Sequence, residues 1–507
     1  MATNKLLSFM KFIGMTFIMT IITLPANAQF LRTSYFMEGT HYRQQLNPAL
    51  TPTKGFINLP VIGAVNATVG STSLGYQDII DIMDNGNDFY KSVDFMNRLK
   101  DNNTLNMNLS VNVLSAGWYK GKNFWTFNVG LRTDIGANVT KSLFNFLNET
   151  DRLEDNWRTG KYDISGQRLN IQAYGEIGVG LSRQINDRLT VGGKVKVLLG
   201  IGNLDLKFNQ VTMNANLPTD ARIEQLQDPT YLATQDIASL KDEIRAYHAN
   251  VGLNATLESS FKGLELKNNE QGYVDDLDFD AGKMGIAGYG FGIDLGASYK
   301  ILDNLTVSAA VLDLGFISWK KDATKVASAT SSSELNFEGS KYTEMINDND
   351  PASVISAANA LKTDAEAYID RIGGGDVLDY DLLQMKAEDA DKSRKSALAA
   401  TLVLGGEYGF FNNKLGIGVL STTRFVKPET LTELTFSANY RPKSWFNVAL
   451  SYSAIQSAGK SFGLGLKLGP IFLGTDYMFL GKNSNSVNGF IGVSIPLNKR
   501  KACCKQG

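Results

Sequence analysis

"TLNMNLSVNV", residues 104–113, switches between apolar and polar side chains at every step. Leu105, Met107, Leu109, Val111 and Val113 fall on one side; Asn106, Asn108, Ser110 and Asn112 fall on the other. Successive side chains of a β-strand point to opposite faces, so the stretch predicts a ribbon with one apolar flank. Such a flank is covered either by a second sheet, as in a soluble sandwich, or by the hydrocarbon of a membrane.

The same design recurs along the chain. "FWTFNVGLRTDIGANV" sets Trp125, Phe127, Val129 and Leu131 against Asn128, Arg132 and Asp134. "RLNIQAYGEIGVGLSRQ" sets Ile171, Ile177, Val179 and Leu181 against Asn170, Gln172, Tyr174 and Glu176. "RLTVGGKVKVLLG" opposes Val191, Val195 and Val197 to Lys194 and Lys196, and "GYGFGIDLGASYK" opposes Tyr289, Phe291, Leu295 and Tyr299 to Asp294. In "LTVSAAVLDLGFISWK" the alternation slips near Asp313, which predicts a β-bulge. With "GFINLPVIGAVNATVG" at the start and the C-terminal runs from "ALAATLVLGGEYGF" to "VNGFIGVSIPL", the chain holds about fourteen strands of roughly ten residues or more.

Three features favour lipid over a second sheet. Soluble strands average about 5–6 residues, shorter than these. The apolar faces as named above carry no Lys, Arg, Asp or Glu, and a charge at the bilayer midplane costs roughly 2–4 kcal/mol in a barrel. A register slip of one residue would push Glu176, or both Lys194 and Lys196, into hydrocarbon. The connections also alternate: tight at 120–123, 184–187, 302–304, 411–414, 441–444 and 469–470, and mostly long between, as at 77–103, 141–167, 217–283 and 321–395. Short turns at one end and long loops at the other is the layout of bacterial outer-membrane barrels. Trp118, Trp125, Tyr299, Phe410, Tyr440 and Trp445 sit near the tight turns, where an interfacial aromatic girdle belongs.

The start of the chain reads as an export signal. Lys5 and Lys11 precede the apolar run "FIGMTFIMTIITLP", and Ala26-Asn27-Ala28 forms an A-x-A cleavage site. The expected organisation is a signal peptide over 1–28, an N-terminal plug or periplasmic segment over 29–54, a barrel over 55–497 and a periplasmic tail over 498–507. Balanced charge, net −1, gives no basic field for nucleic acid. The 48 glycines suit strands that bend and a crowded interior. "ASVISAANALKTDAEAYIDRI" has helical spacing and stops at Gly373-Gly374-Gly375; "DIIDIMDNGNDFYKSVDFMNRLK" adds short helices to the first long loop. The fold class expected is all-β: a transmembrane antiparallel β-barrel with long, partly helical extracellular loops.

"SYFMEGTHYRQQLNPALTPTKGFINLPVIG", Ser34 to Gly63, resembles the N-terminal signature of an uncharacterised family of Bacteroidota outer-membrane proteins, and Gly290 to Trp319 resembles that family's second marker. The resemblance spans essentially the whole mature chain and implies a barrel without implying a biochemistry. A looser likeness is to the long-chain fatty acid transporter superfamily, fourteen-stranded barrels with an Asn-Pro-Ala segment in a lumenal N-terminus. Here Asn47, Pro48 and Ala49 precede the first strand. That likeness implies passage or binding of a small, hydrophobic ligand; it carries over no substrate residue.

Catalytic constellations are not assembled by the spacing. His41 and His248, the only histidines, lie outside the strands, so neither a hydrolase triad nor a histidine-rich metal site is expected. "AIQSAGKS", 454–461, matches a relaxed phosphate loop, but an alternating strand follows it where a helix is required. "DDLDFDAGK", 275–283, gathers carboxylates, yet its twelfth position is Ala287, which excludes an EF-hand; an irregular calcium site or a solvated acidic loop remain the two readings. Cys503 and Cys504, adjacent in a basic tail, are ill-placed to bond each other. No cofactor is expected, no catalytic residue is assigned, and the partners expected are outer-membrane lipid and the small ligand.

The inward face is then the candidate site: Arg132, Asp134, Glu176, Lys194, Lys196, Asp294, Glu407, Lys467 and Asp476, together with the Asn47–Ala49 motif. Mixed signs there fit two readings, ion pairs that hold strands and plug together or a solute path and gate. The alternative to transport is an outer-membrane platform for surface binding or secretion.

Overall fold

The stretch 104–113 lies in a strand of 19 residues, Asn102–Lys120, whose neighbour Asn123–Thr140 follows after a two-residue turn at Gly121. The computed structural model describes residues 32–58, 64–75, 78, 90–149, 157–269, 272–331, 336–373, 385–388, 393–455, 460–476 and 485–499. The expected signal peptide and the cysteine pair lie outside them.

The strands close into a ring of 14. They are β1 (Lys54–Ile57 continuing as Ala64–Ser71), β2 (Asn102–Lys120), β3 (Asn123–Thr140), β4 (Arg168–Gln184), β5 (Leu189–Asn216), β6 (Gly288–Leu302), β7 (Leu305–Trp319), β8 (Thr401–Phe410), β9 (Leu415–Arg424), β10 (Leu431–Lys443), β11 (Phe446–Ile455), β12 (Ser461–Leu468), β13 (Ile471–Thr475) and β14 (Ser486–Val493 continuing as Ile495–Lys499). Each pairs antiparallel with the next, and β1 pairs with β14, as in Asn66 opposite Phe490. Closure leaves no strand edge, a requirement for backbone that must stay hydrogen-bonded in hydrocarbon.

Burial runs opposite to that of a soluble sheet. On β5, Val195 is 50% exposed while Lys194 beside it is 9% exposed. Val179, Leu295, Val419, Leu450 and Leu473 likewise face outward, and Glu176, Asp294 and Lys467 are buried. Exposed Trp118, Tyr299, Phe410, Tyr440 and Trp445 gather near the tight turns. An apolar outer belt with an aromatic rim is the surface of a membrane-spanning barrel, and a closed barrel of this kind belongs to the outer membrane.

Among the departures from strict alternation, two shape the wall beside the candidate residues. The register shifts between Asn112 and Leu114, so Val113 forms a bulge and Leu114, Ala116 and Trp118 take over the outward positions. On β7 the extra residues Leu312 and Asp313 face the single Asp294 of β6, and Asp313 adopts a φ of 57°. The bulge expected at Asp313 is present. Met107 and Leu109 are buried on the outer side, Leu109 packing on Ala67 beside Val65 and Val111.

The loop end holds far more structure than loops. β5 has 28 residues, whereas about 9–11 cross a bilayer, so its second half stands above the ring and pairs with His248–Phe261. Thr324–Thr330 and Asn336–Glu338 add to that sheet. Helices Asp220–Gln227, Ile237–Ala246 and Pro351–Gly373 pack on it through Leu226, Ile244, Val354 and Leu361. The helix ending at Gly373 and the short helix Val93–Arg98 agree with the helical spacing of those loops.

Candidate functional site

Segment 32–53 runs inside the ring and touches strands around most of its circumference, among them β1 at Val65, β4 at Ser182, β7 at Ala309 and β11 at Ser453. Its seat is paved with glycine: a Cβ at Gly418 would strike the Phe36 ring at 2.6 Å, one at Gly405 the Tyr35 ring at 2.7 Å, and one at Gly192 the carbonyl carbon of Pro48 at 2.5 Å. Tyr35, Phe36, Met37, Tyr42, Leu46 and Leu50 pack on Leu312, Val403, Leu420, Phe472 and Phe490, an apolar patch on the lumenal wall. The interior glycines thus exchange side-chain volume for the volume of this segment.

Polar contacts fasten it at a few points. The Asp476 carboxylate accepts the backbone N–H of Thr33 at 2.7 Å and its hydroxyl at 2.5 Å. Arg32 lies 3.3 Å from Glu433 on β10 and donates to Ser453 on β11 at 3.0 Å. Glu407 on β8 pairs with Arg441 of β10 at 2.6 Å and with Arg43 of the segment at 3.5 Å. The Asn47 amide donates to the carbonyls of Ala297 on β6 and Ala309 on β7, at 3.3 and 3.2 Å, while its oxygen accepts the N–H of Ala49 at 2.9 Å. The Pro48 carbonyl accepts the Ser182 hydroxyl at 2.5 Å. Asn47–Ala49 is therefore a buckle on the β4–β7 wall.

His41 sits inside the segment beside Tyr42, Phe56 and Phe472. Asn58 donates its amide to Nε2 at 3.1 Å, and burial pushes the imidazole down to about 3. The ring is neutral. His248, expected outside the strands, instead opens the raised strand His248–Phe261, and it bonds Asn214 and the Ala246 carbonyl. Neither histidine is paired with a nucleophile or a carboxylate among the described residues.

A second group of charges ties strand to strand. The Glu176 carboxylate on β4 meets Arg132 at 3.3 Å and Lys194 at 3.2 Å, and accepts the Asn128 amide at 2.6 Å. Lys196 lies 2.7 Å from Asp294 and 2.6 Å from Asp313, and the Asp313 N–H donates to Asp294 at 2.8 Å. Asp134 pairs with Arg424 of β9 across the lumen and accepts from Asn108. Above that pair the β9–β10 connection bends inward: Lys427 bonds Asp205 at 3.0 Å, and Pro428 Cδ would lie 2.9 Å from a Cβ at Gly136.

The candidates from the sequence thus divide. Arg132, Glu176 and Lys194 form one cluster, Lys196 and Asp294 a second, and Asp134 stands with Arg424. Glu407 and Asp476 hold the segment. Lys467 stands apart, donating to the Ser444 carbonyl at 2.8 Å near the tight-turn end. Asp313, Arg424, Glu433 and Arg32 were not among the candidates. Glu433 alternates with Leu434 and Phe436 and was readable by the same rule; Asp313 was noticed as a bulge, but its side chain's direction depends on backbone geometry.

The acidic stretch resolves differently. Val274–Phe279 pairs as a hairpin with Leu264–Asn268, and Asp278 meets Lys267 at 2.9 Å. Among the described residues no group of three or more His, Cys, Asp or Glu side chains is placed to hold a metal ion. In "AIQSAGKS", 456–459 lie outside the described residues, and Ser461 opens strand β12.

Similar barrels are known. The toluene transporter TbuX of Ralstonia pickettii is 9% identical, covering 94% of this chain and 100% of its own, with a TM-score of 0.39. The Pseudomonas putida toluene transporter TodX is 9% identical over 92% of each chain, with a TM-score of 0.33. A FadL homologue of Pseudomonas aeruginosa is 10% identical over 88% of this chain and 91% of its own, at 0.31. No curated protein matches in sequence. Residues 48–476 match the model of a family of unknown function, DUF5723, and the chain belongs to that family.

Proposed function

We propose that the protein is a gated outer-membrane barrel that passes or captures a small, apolar or amphipathic ligand, with segment 32–53 as its plug. The observation that carries this reading is the nature of the seat. The segment fastens at a few polar points but covers a continuous apolar and glycine-lined patch on the lumenal wall. Its departure would bare Val403, Leu420, Phe472 and Phe490 to an incoming solute. Wall charges such as Glu176 with Lys194 and Lys196 with Asp294 connect strands to each other, so they keep the ring rigid while the plug moves. The role is transport or binding, and no catalysis is assigned to it.

The test is extraction and mass spectrometry of the purified full chain, with uptake of laurate into vesicles carrying it. A co-purifying fatty or isoprenoid molecule, or laurate flux above that of empty vesicles, supports the reading. A barrel that is empty and does not conduct overturns it in favour of a surface platform. That second reading has its own observation, the raised sheet and helices with a core of their own above the ring. Export by a cleaved leader belongs to the same proposal; it predicts Gln29 as the first residue on N-terminal sequencing.

A further inference from the structure

An open cavity of about 660 Å³ lies on the outer face of the wall, in the half nearest the tight turns. Its floor is made by small residues in adjacent strands: Gly193 on β5, Ala297 on β6 and Ala309 on β7. Leu295 and Leu402 stand on its rim. The volume falls within the roughly 300–1,000 Å³ typical of small-ligand sites. Arg183 of β4 stands at one edge, cross-strand from Val191, whose other partner is Ala297. It is exposed on the belt, and its guanidinium has no hydrogen bond or ion pair among the described residues. Exposed Tyr299 lies one position nearer the turns in the same strand face, which puts Arg183 close to the membrane–water interface.

We infer that this groove is a seat for one phosphate-bearing lipid of the inner leaflet, its acyl chain over Gly193, Ala297 and Ala309 and its phosphate against the Arg183 guanidinium. A dent in an outward wall otherwise set with Val, Leu and Phe leaves room for a chain to lie below the level of its neighbours. A cation without a partner among the described residues, beside an apolar groove at headgroup depth, selects an anionic head. The opposite side of the same wall carries the plug buckle: Gly192 and Gly296, in register with each other, face Pro48 and Asn47. The lipid therefore sits one backbone thickness from the contact that fastens Asn47.

Native mass spectrometry of the full chain in mild detergent, offered equal phosphatidylglycerol and dioleoylglycerol, tests the seat. The wild type is expected to retain one phosphatidylglycerol, with about a fivefold preference over dioleoylglycerol. Gly193→Leu with Ala309→Leu fills the groove from outside, since a Cβ at Gly193 meets only Leu295, at 3.6 Å, and Asp294, at 3.7 Å; retention should be lost. Arg183→Gln should keep acyl binding and lose the preference. Equal retention by the wild type and the filled variant, or an unchanged preference in Arg183→Gln, overturns the inference. So does a dimer in mild detergent that the filled variant dissolves, which would make the occupant a second copy. Should the filled variant not fold, a diazirine-tailed phosphatidylglycerol in wild-type vesicles decides: labelling of β5–β7 supports the seat, and labelling spread evenly around the barrel refutes it.

Discussion

Asp476→Ala removes the two charge-assisted hydrogen bonds that hold Thr33, at 2.7 and 2.5 Å. A hydrogen bond to a charged group contributes roughly 1.5–3 kcal/mol, so the docked segment should lose about 3–6 kcal/mol, a factor of roughly 10² to 10⁴ in its open population. The Thr33 N–H, left in a dry interior, adds to the loss. Tyr35, Phe36, Met37, Tyr42, Leu46 and Leu50 stay buried in the variant, and burying each such side chain is worth roughly 1.5–3 kcal/mol, so the segment remains mainly docked. Steady conductance in planar bilayers should accordingly stay low, while transient opening becomes far more frequent. Trypsin cleavage after Arg32 or Arg43 in detergent reads that opening directly, because cleavage follows the open population when reclosing is fast. The rate should rise by two orders of magnitude or more, with the heat-modifiable band of the folded barrel unchanged. An unchanged cleavage rate in a folded variant would refute the latch, and a lost barrel band would show that Asp476 serves the wall instead.

His41, held neutral with its proton affinity pushed down to about 3, makes docking pH-dependent. A released segment takes up a proton near 6.5, so docking is complete above that pH and weakens by ~1.4 kcal/mol per unit as pH falls toward 3; trypsin or acid-stable pepsin cleavage at pH 7 and pH 5 should differ by roughly thirtyfold in open population. Lys196→Met leaves Asp294 and Asp313 facing each other in the wall, and the barrel should lose roughly 3–5 kcal/mol, read as a lower urea midpoint in vesicle refolding. Val195→Lys puts a charge on the lipid face beside Lys194 and should cost about 2–4 kcal/mol in the same assay, whereas Asn66→Ser on the lumenal face should leave the midpoint nearly unchanged.

The ring was legible because its two faces meet opposite solvents. Val195 and Lys194 can be assigned to lipid and lumen without any knowledge of which strands pair, and the short turns then fix their order. The raised structure was not legible in the same way. Along β5 the alternation continues past the lipid, with Val211, Met213 and Ala215 packing on raised cores, while its partner His248–Phe261 falls inside the long connection 217–283, whose length and polar composition present it as a loop. The lumenal charges were readable as a set, but their grouping was not. Glu176 reaches Lys194 and Arg132 only because β3, β4 and β5 are in a particular register, with Gly178 between Asn128 and Lys196. Register depends on turns and bulges, which a face-by-face reading leaves open.

That grouping bears on how a packed lumen could open. Were the charges on the inner face spread evenly between wall and segment, releasing the segment would strand several of them in a medium where an unpaired charge costs several kcal/mol. The pairs are instead mostly internal to the wall: Glu176 with Lys194 and Arg132, Lys196 with Asp294 and Asp313, Asp134 with Arg424. Glu407 keeps Arg441 at 2.6 Å even if Arg43 leaves. Departure therefore exposes chiefly apolar and glycine surface, whose cost an apolar solute entering the same space would offset. A polar solute would offset little of it. The distribution of ion pairs, more than the size of the ring, is what ties the proposed gate to an apolar cargo.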